Sequence, residues 1–336
     1  MKPGQLVISL DFELNWGVHD TLSLDTYGPN IRGVQTVIPR LLDLFGRYHV
    51  KATWGIVGFL FHQDKEELLA HVPDRLPAYS NPKLSPYGAY LDRVGKGFPE
   101  DPHHFSPHLV QLILEQPQHE VGTHTYCHYY CLEPGQSAAE FEADLEMAIR
   151  VGAERGVTIT SLIFPRNQYN KEYLRICAKH GILCIRGNER HWLYAADNAA
   201  GQTPARRGLR LLDSYVPLSG NHAFDLDRLP ATLPIDIPAS AFLRPYMPRL
   251  AFLDGLRLRR IKKSMTHAAK NGLVYHLWWH PHNFGIHQDE NFAFLELILK
   301  HYQQLNRQYG FGSSTMSELA RQVLAANNPA PSHVSS

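Results

Sequence analysis

Asp11-Phe12-Glu13 is the first point in this 336-residue chain whose side chains could do chemistry. It directly follows an apolar, strand-like run. In extended backbone the side chains alternate, so Asp11 and Glu13 point the same way. Two neighbouring carboxylates repel unless something positive sits between them, a metal ion or an Arg. The plain alternative is a loop with two solvated acids, or acids that cap a later helix. The second cluster is His124-Thr125-Tyr126-Cys127-His128. If this segment turns helical, the two imidazoles lie one turn apart on one face, with Cβ atoms about 5–6 Å apart. Two imidazoles and one carboxylate form a catalytic zinc set that leaves positions open for water and substrate. Cys127 and Cys131 stand beside the pair, so a mixed His/Cys site is a second option, whereas Cys177 and Cys184 fall in segments that read as core. The third cluster, His280-Pro281-His282, ends an apolar run, as does the fourth, Phe164-Pro165-Arg166-Asn167, where Arg166 is an available cation. Read blandly, these are strand-capping His residues and an ordinary surface Arg. Twenty His in the chain make metal ligation and acid–base chemistry the first things to test.

What must position these groups is an alternation of strands and helices. Strands are predicted over 5–11, 51–59, 119–123, 157–164, 182–186 and 273–279. Helices are predicted over 34–48, 106–116, 137–155, 170–180, 253–271, 288–309 and about 316–326. Ser106 is read as an N-cap with Pro107 at the first position, and Ser137 with Glu140 as a capping box. Alternating β and α argues for a mostly parallel sheet with helical crossovers. About seven strands suit a distorted (β/α) barrel, with a doubly wound open sheet as runner-up. Neither a GxGxxG after the first strand nor a Walker motif is found, which removes support for nucleotide-binding variants. Residues 73–107 and 204–248 break the alternation, each holding seven of the 23 prolines, and are expected to be loop insertions forming functional rims. A single domain over 1–326 is expected, with a disordered polar tail over 327–336. Asp11, His124, Arg166 and His280 each fall at a predicted strand end. In a parallel barrel such groups gather on one face, which points to a metal-assisted hydrolase.

Composition narrows the classes. Hydrophobic residues make up 44% of the chain, enough for a sizeable core, so global disorder is excluded. The formal charge of +1 makes nucleic acid an unsuitable partner. No apolar run reaches the ~18 residues of a membrane span. Four Cys do not make a disulfide scaffold. The first residues show no signal-peptide pattern, so a cytoplasmic location is expected.

The four motifs in this order resemble the polysaccharide deacetylase family, also called the NodB-homology family or carbohydrate esterase family four. The resemblance spans about 5–285, with the Pro-rich segments as insertions. Asp-Phe-Glu resembles the family's acidic motif in its D-x-E form rather than the usual pair of adjacent Asp. Gly122-Thr123-His124-Thr125-Tyr126-Cys127-His128 matches its HxxxH. Phe164-Pro165-Arg166-Asn167-Gln168 resembles its Arg motif with altered order, and His280-Pro281-His282-Asn283 its last motif. The resemblance implies a distorted (β/α) barrel that hydrolyses an N-acetyl group on a sugar with a divalent metal ion, zinc being the expected one. It implies Glu13, His124 and His128 as metal ligands, Asp11 as general base, Arg166 as the cation that keeps Asp11 ionised, and His280 as general acid. The D-x-E form leaves the division of roles between Asp11 and Glu13 open, and His282 competes with His280.

Trp16, Trp192, Trp278 and His282 are expected substrate contacts, and Tyr87, Tyr90 and Tyr215 are further candidates for stacking on a sugar ring. The expected partner is an N-acetylated sugar, nucleotide-linked, lipid-linked or in an oligosaccharide, within surface-polysaccharide assembly. The run Arg257, Arg259, Arg260, Lys262, Lys263 offers a face for a pyrophosphate or an anionic membrane, or simply a solvated helix face. The rival readings are a metal-free glycosidase using Asp11 and Glu13, a non-catalytic carbohydrate binder, and a hydrolase of another C–N bond such as an N-formyl or ureide group. An i, i+2 carboxylate pair on one strand cannot easily flank a sugar from both sides, which counts against the glycosidase.

Overall fold

The computed structural model describes residues 2–198, 201 and 203–327; of the tail expected over 327–336, all but Asn327 lies outside the described residues. Nine strands form one parallel sheet: β1 (Gln5–Phe12), β2 (Thr53–Ile56), β3 (Glu120–Thr123), β4 (Ser161–Leu162), β5 (Cys184–Gly187), β6 (Ile235–Pro238), β7 (Ala241–Phe242), β8 (Val274–Trp279) and β9 (Gly312–Ser314). Their order is β6-β5-β4-β3-β2-β1-β8-β7, with β9 beside the start of β1. The helices are α1 (Leu24–Tyr48), α2 (Lys65–Ala70), α3 (Pro107–Leu114), α4 (Ala138–Glu154), α5 (Lys171–Lys179), α6 (Pro204–Asp213), α7 (Asp254–Asn271), α8 (Gln288–Tyr309) and α9 (Met316–Asn327). This is a distorted (β/α) barrel, as the alternation predicts. Among the described residues no helix is long and apolar enough to cross a membrane.

The two ends of the sheet are joined by a single stretch of chain. β6 pairs with β5, and only Ala239 and Ser240 separate it from β7, which pairs with β8. Ala239 N–H donates to the Gly187 carbonyl and Ser240 N–H to that of His276, so this stretch passes from one sheet edge to the other. The segment 204–248 is therefore not loop alone, since it supplies α6 and two barrel strands. Its proline density hid them.

Alternation along β1 sorts polar chemistry from core. Leu6, Ile8, Leu10 and Phe12 face outward into the main core with Val34, Ile38 and Leu41 of α1. Val7 faces inward and joins Ile163, Cys184, Ile235, Ile237 and Val274 in a second core. Met316, Leu319, Ala320 and Val323 of α9 close the base of that inner core. Above it the inward positions of β1 become Ser9 and then Asp11, so the interior grades from apolar at the base to charged at the mouth.

α1 is longer than predicted. It starts at Leu24 and carries Pro29 and Pro39 within it. Gly33 lets it lie against the turn after β8: a Cβ there would come within 2.0 Å of the Gly285 carbonyl oxygen. The Ser137–Glu140 capping box on α4 forms as read from sequence.

Candidate active site

Glu13, one residue beyond β1, meets two imidazoles from the loop after β3. Glu13 Oε2 lies 3.1 Å from His124 Nε2 and 3.1 Å from His128 Nε2. All three residues are buried. His124 Nδ1 faces the Ile163 carbonyl at 2.8 Å, and a carbonyl only accepts, so Nδ1 carries the proton. In neutral His124 that leaves the Nε2 lone pair aimed at a carboxylate oxygen. Two acceptors in contact call for a cation between them. Tetrahedral zinc with bonds of about 2.0–2.1 Å places its ligand atoms about 3.3 Å apart, so the donor set and its spacing fit a divalent ion. The carbonyl behind His124 is the kind of outer partner that fixes a metal-binding imidazole. Burial would raise the Glu13 carboxyl, but His280, His124 and His128 outweigh it and hold the group well below the usual carboxylate range. Burial pushes His128 down to about 4, keeping it neutral and able to bind metal.

The HxxxH segment is not helical, which corrects the helical option. Asp144 of α4 accepts from Tyr126 N–H at 2.7 Å and Cys127 N–H at 3.0 Å, and Thr125 Oγ1 accepts from Tyr129 N–H at 2.6 Å. These side chains take the backbone bonds a helix would need. Thr125 and His128 both adopt left-handed backbone, φ 63°, so His128 turns back toward His124 through the loop rather than along a helix. Leu14, Arg166 and Asn167 also have positive φ. Such residues cost energy and cluster at functional sites. Cys127 and Cys131 are buried outside the cluster, with burial pushing both thiols well above their ordinary range, so neither is a ligand here.

Asp11 carries the largest surprise. Its carboxylate is gripped by both terminal guanidinium nitrogens of Arg186 on β5, Nη2 lying 2.7 Å from Oδ2. Both residues are buried. Arg186 also donates to Asn167 Oδ1 at 3.0 Å and lies over the Trp278 ring at 4.1 Å. Burial would raise Asp11, yet Arg186 overrides it and holds the carboxyl below its ordinary value. Arg166 does not do this work. It pairs with Asp20, lies 3.5 Å from Glu133, and sits over Tyr130. The sequence carried a signal for the true partner: an Arg inside the apolar strand Ile182-Leu183-Cys184-Ile185-Arg186 needs a buried carboxylate.

His280 and His282 stack with ring centroids 5.0 Å apart. His280 Nδ1–H donates to Asn283 Oδ1 at 3.2 Å, leaving Nε2 3.6 Å from Asp11 Oδ2 and 3.7 Å from Glu13 Oε1. His282 is buried with Nδ1 unpartnered, and burial pushes it down to about 3. A cavity of about 310 Å³ is lined by Asp11, Glu13, His128, Trp278 and His280, among others.

The other expected contacts divide. Trp278 lines the cavity. Trp16 does not: it is fully buried, and its Nε1–H donates to the His104 carbonyl at 2.8 Å. An indole next to an acidic motif is as often core as contact, and here it supports the turn that carries Glu13. Trp192 is 66% exposed and lies outside the cavity lining. Tyr87 and Tyr215 are buried, and the Tyr90 hydroxyl is engaged by Asn15 and His104. Both Pro-rich segments do reach this face, 73–107 through Ser80 and Asn81 beside Arg166, and 204–248 through Arg210. Two residues of the basic run turn inward: Arg257 binds the Arg244 and Pro245 carbonyls and Asp254, and Arg260 binds Asp213, while Arg259 and Lys263 stay exposed.

Residues 26–185 match the family model for polysaccharide deacetylases. Over that span, just under half of its length, the chain is similar to polysaccharide deacetylases. The matched span contains HxxxH and Phe164-Pro165-Arg166, while Asp11, Glu13, Arg186 and His280 lie outside it and are joined to it by the barrel. Three solved structures share the fold. A polysaccharide deacetylase homologue from Mycobacterium smegmatis aligns at 14% identity, TM-score 0.59, over 97% of this chain and 95% of that one. Another from Pseudomonas aeruginosa aligns at 12% and 0.57, over 97% and 93%. The allantoinase PuuE aligns at 11% and 0.56, over 97% and 92%. No curated protein matches the sequence.

Proposed function

We propose that this protein is a metal-dependent hydrolase that removes an N-acetyl group from a sugar. The observation that carries the reading is the meeting of Glu13, His124 and His128 beside a cavity lined by Glu13, His128, Asp11 and His280. Glu13, His124 and His128 would hold a divalent ion, which would supply Lewis acidity toward an amide carbonyl and a bound water. Asp11 is the general base. Arg186 keeps it ionised and fixes both its oxygens, so it takes the proton of the attacking water in one geometry. His280 is the general acid: Asn283 fixes its ring, and Nε2 faces the cavity to give the leaving nitrogen its proton. His282, buried and kept neutral, supports the stack instead. Water adds to the amide carbon, the C–N bond breaks, and the products are acetate and the amino sugar.

The test is acetate release from a panel of N-acetyl sugars, with metal content measured on the same preparation. Stoichiometric zinc or another divalent ion together with acetate release is expected. A fully metallated protein that releases no acetate from any N-acetyl sugar overturns the reading.

A further inference from the structure

A second cavity of about 210 Å³ adjoins the first and shares Asn167, Arg210, Trp278 and His280 with it. Its far wall is cationic. Arg244 lies just past β7, half-buried, and among the described residues no carboxylate or carbonyl pairs with its guanidinium; the Phe242 ring lies 5.8 Å away and Tyr194 lines the same cavity. Arg210 reaches the same cavity from α6, with Nε–H donating to the Leu193 carbonyl at 3.0 Å. Glu189 is the carboxyl in the lining. It accepts from Trp278 Nε1–H at 3.3 Å, and burial raises it above the usual carboxylate value. Burial lowers Arg244 from its ordinary value, and Arg257 and Arg210 lower it further.

A desolvated cation without a counter-ion is costly. This one is also deliberately held. Arg257 donates to the backbone carbonyls of Arg244 and Pro245, and Arg260 ties down Asp213, the last residue of the helix carrying Arg210. Two arginines of α7, Arg257 buried and Arg260 half-buried, thus fix the two segments that present Arg244 and Arg210. A planar guanidinium fork suits oxyanions, which it binds through paired N–H donors.

We infer that this cavity is an anion subsite, and that the substrate carries a phosphoryl or carboxylate group next to the sugar bearing the scissile amide. The inference rests on the proposed amide hydrolysis for the placement of that sugar. The neutral end of the substrate then lies over Trp278 and the metal-binding residues, and the anion sits between Arg244 and Arg210.

The test uses the metallated full-length protein and amino-sugar products, which cannot turn over. Glucosamine, glucosamine 1-phosphate and glucosaminuronic acid are titrated calorimetrically into wild type and Arg244→Met. Wild type should bind at least one charged sugar about 10–100-fold more tightly than glucosamine, the span of a charge-assisted hydrogen bond. The preferred one identifies the anion as phosphoryl or carboxylate. Arg244→Met should erase most of that preference, and its melting temperature should hold or rise because an uncompensated buried charge is gone. Equal binding of charged and neutral sugars by wild type, a preference that survives in Arg244→Met, or a marked fall in its melting temperature each overturns the subsite. Acetate release is read separately from the three N-acetylated counterparts. If none releases acetate while Arg244-dependent binding persists, the hydrolysis fails and the subsite stands. If acetate is released and binding shows no preference, the hydrolysis stands and the subsite fails.

Discussion

Replacing Arg186 with Met should cost both stability and turnover. The pair it forms with Asp11 is two-pronged, and both side chains are almost wholly buried, 1% and 3% exposed. Removing one member strands the other as a buried charge, which costs about 3–5 kcal/mol. At about 2–4 °C per kcal/mol for domains somewhat smaller than this one, that is a fall on the order of 10 °C. The pH dependence has a definite sign. In wild type, folded Asp11 lies below its ordinary 3.8, so its contribution is present above that value and is lost as the pH falls through the folded pKa. In Arg186→Met the burial that Arg186 had outweighed pushes Asp11 above 3.8. The variant's deficit should therefore widen as the pH rises from about 4. Urea unfolding of both proteins at pH 5 and pH 8 reads this directly, and Asp11→Asn in the Arg186→Met background should recover much of the loss. Acetate release should drop about 10²–10⁴-fold if Asp11 is the general base proposed above, because it is lost from its ionised form. A stability change below about 1 kcal/mol, on the scale of an exposed pair, would refute the argument. So would a deficit equal at both pH values.

The remaining expectations concern the metal, the acid and the buried imidazoles. His124→Ala and His128→Ala should each lose stoichiometric metal in elemental analysis while keeping a cooperative unfolding transition; full metal in both would place the site elsewhere. His280→Ala should keep its metal and lose about 10²–10⁴-fold in kcat, whereas a larger loss in His282→Ala would transfer the acid role to His282. Away from the site, burial pushes His62 and His119 down to about 4 and His276 to about 3. Their folded values lie below the ordinary 6.5, so the unfolded chain binds more protons. Stability from these three groups should be full above about pH 6.5 and fall toward pH 4, by up to about 4 kcal/mol per pH unit for three protons. His276→Asn should flatten the acid limb of a melting-temperature series; an unchanged limb would show that His276 is protonated in the folded state.

Strand ends were the most readable feature of the sequence. Asp11, His124 and His280 each follow an apolar run, and parallel pairing brings those ends together whatever the details of the loops. Arg186 was harder to find because its partner lies 175 residues away; only the oddity of a charge inside a core strand marks it. Trp16 illustrates a different blindness, since residue type does not tell a buried indole from one facing a ligand. The HxxxH pair was visible, but its path was not. The left-handed turns at Thr125 and His128 depend on Asp144, a carboxylate supplied by the next helix. β6 and β7 were lost because four- and two-residue strands among prolines carry too little periodicity to be seen. Arg257 and Arg260 looked like a solvated face because periodicity cannot tell which cations turn inward to bind carbonyls and carboxylates.

The plug at the base of the barrel sets a constraint on making the protein. β1 is translated first, but two of its neighbours are β8 and β9, and the inner core it shares with β5 and β6 is closed by Leu319, Ala320 and Val323. Until those residues leave the ribosome, Val7, Cys184 and Ile235 lack the apolar side chains that cover them in the folded structure. Contacts this distant in sequence form slowly, and half-built barrels expose apolar surface while they wait. Asp11 and Arg186 sit higher in the same barrel. Their pairing gains its full strength only with the base below closed to water, so the charged mouth depends on a helix that places no side chain in the cavity.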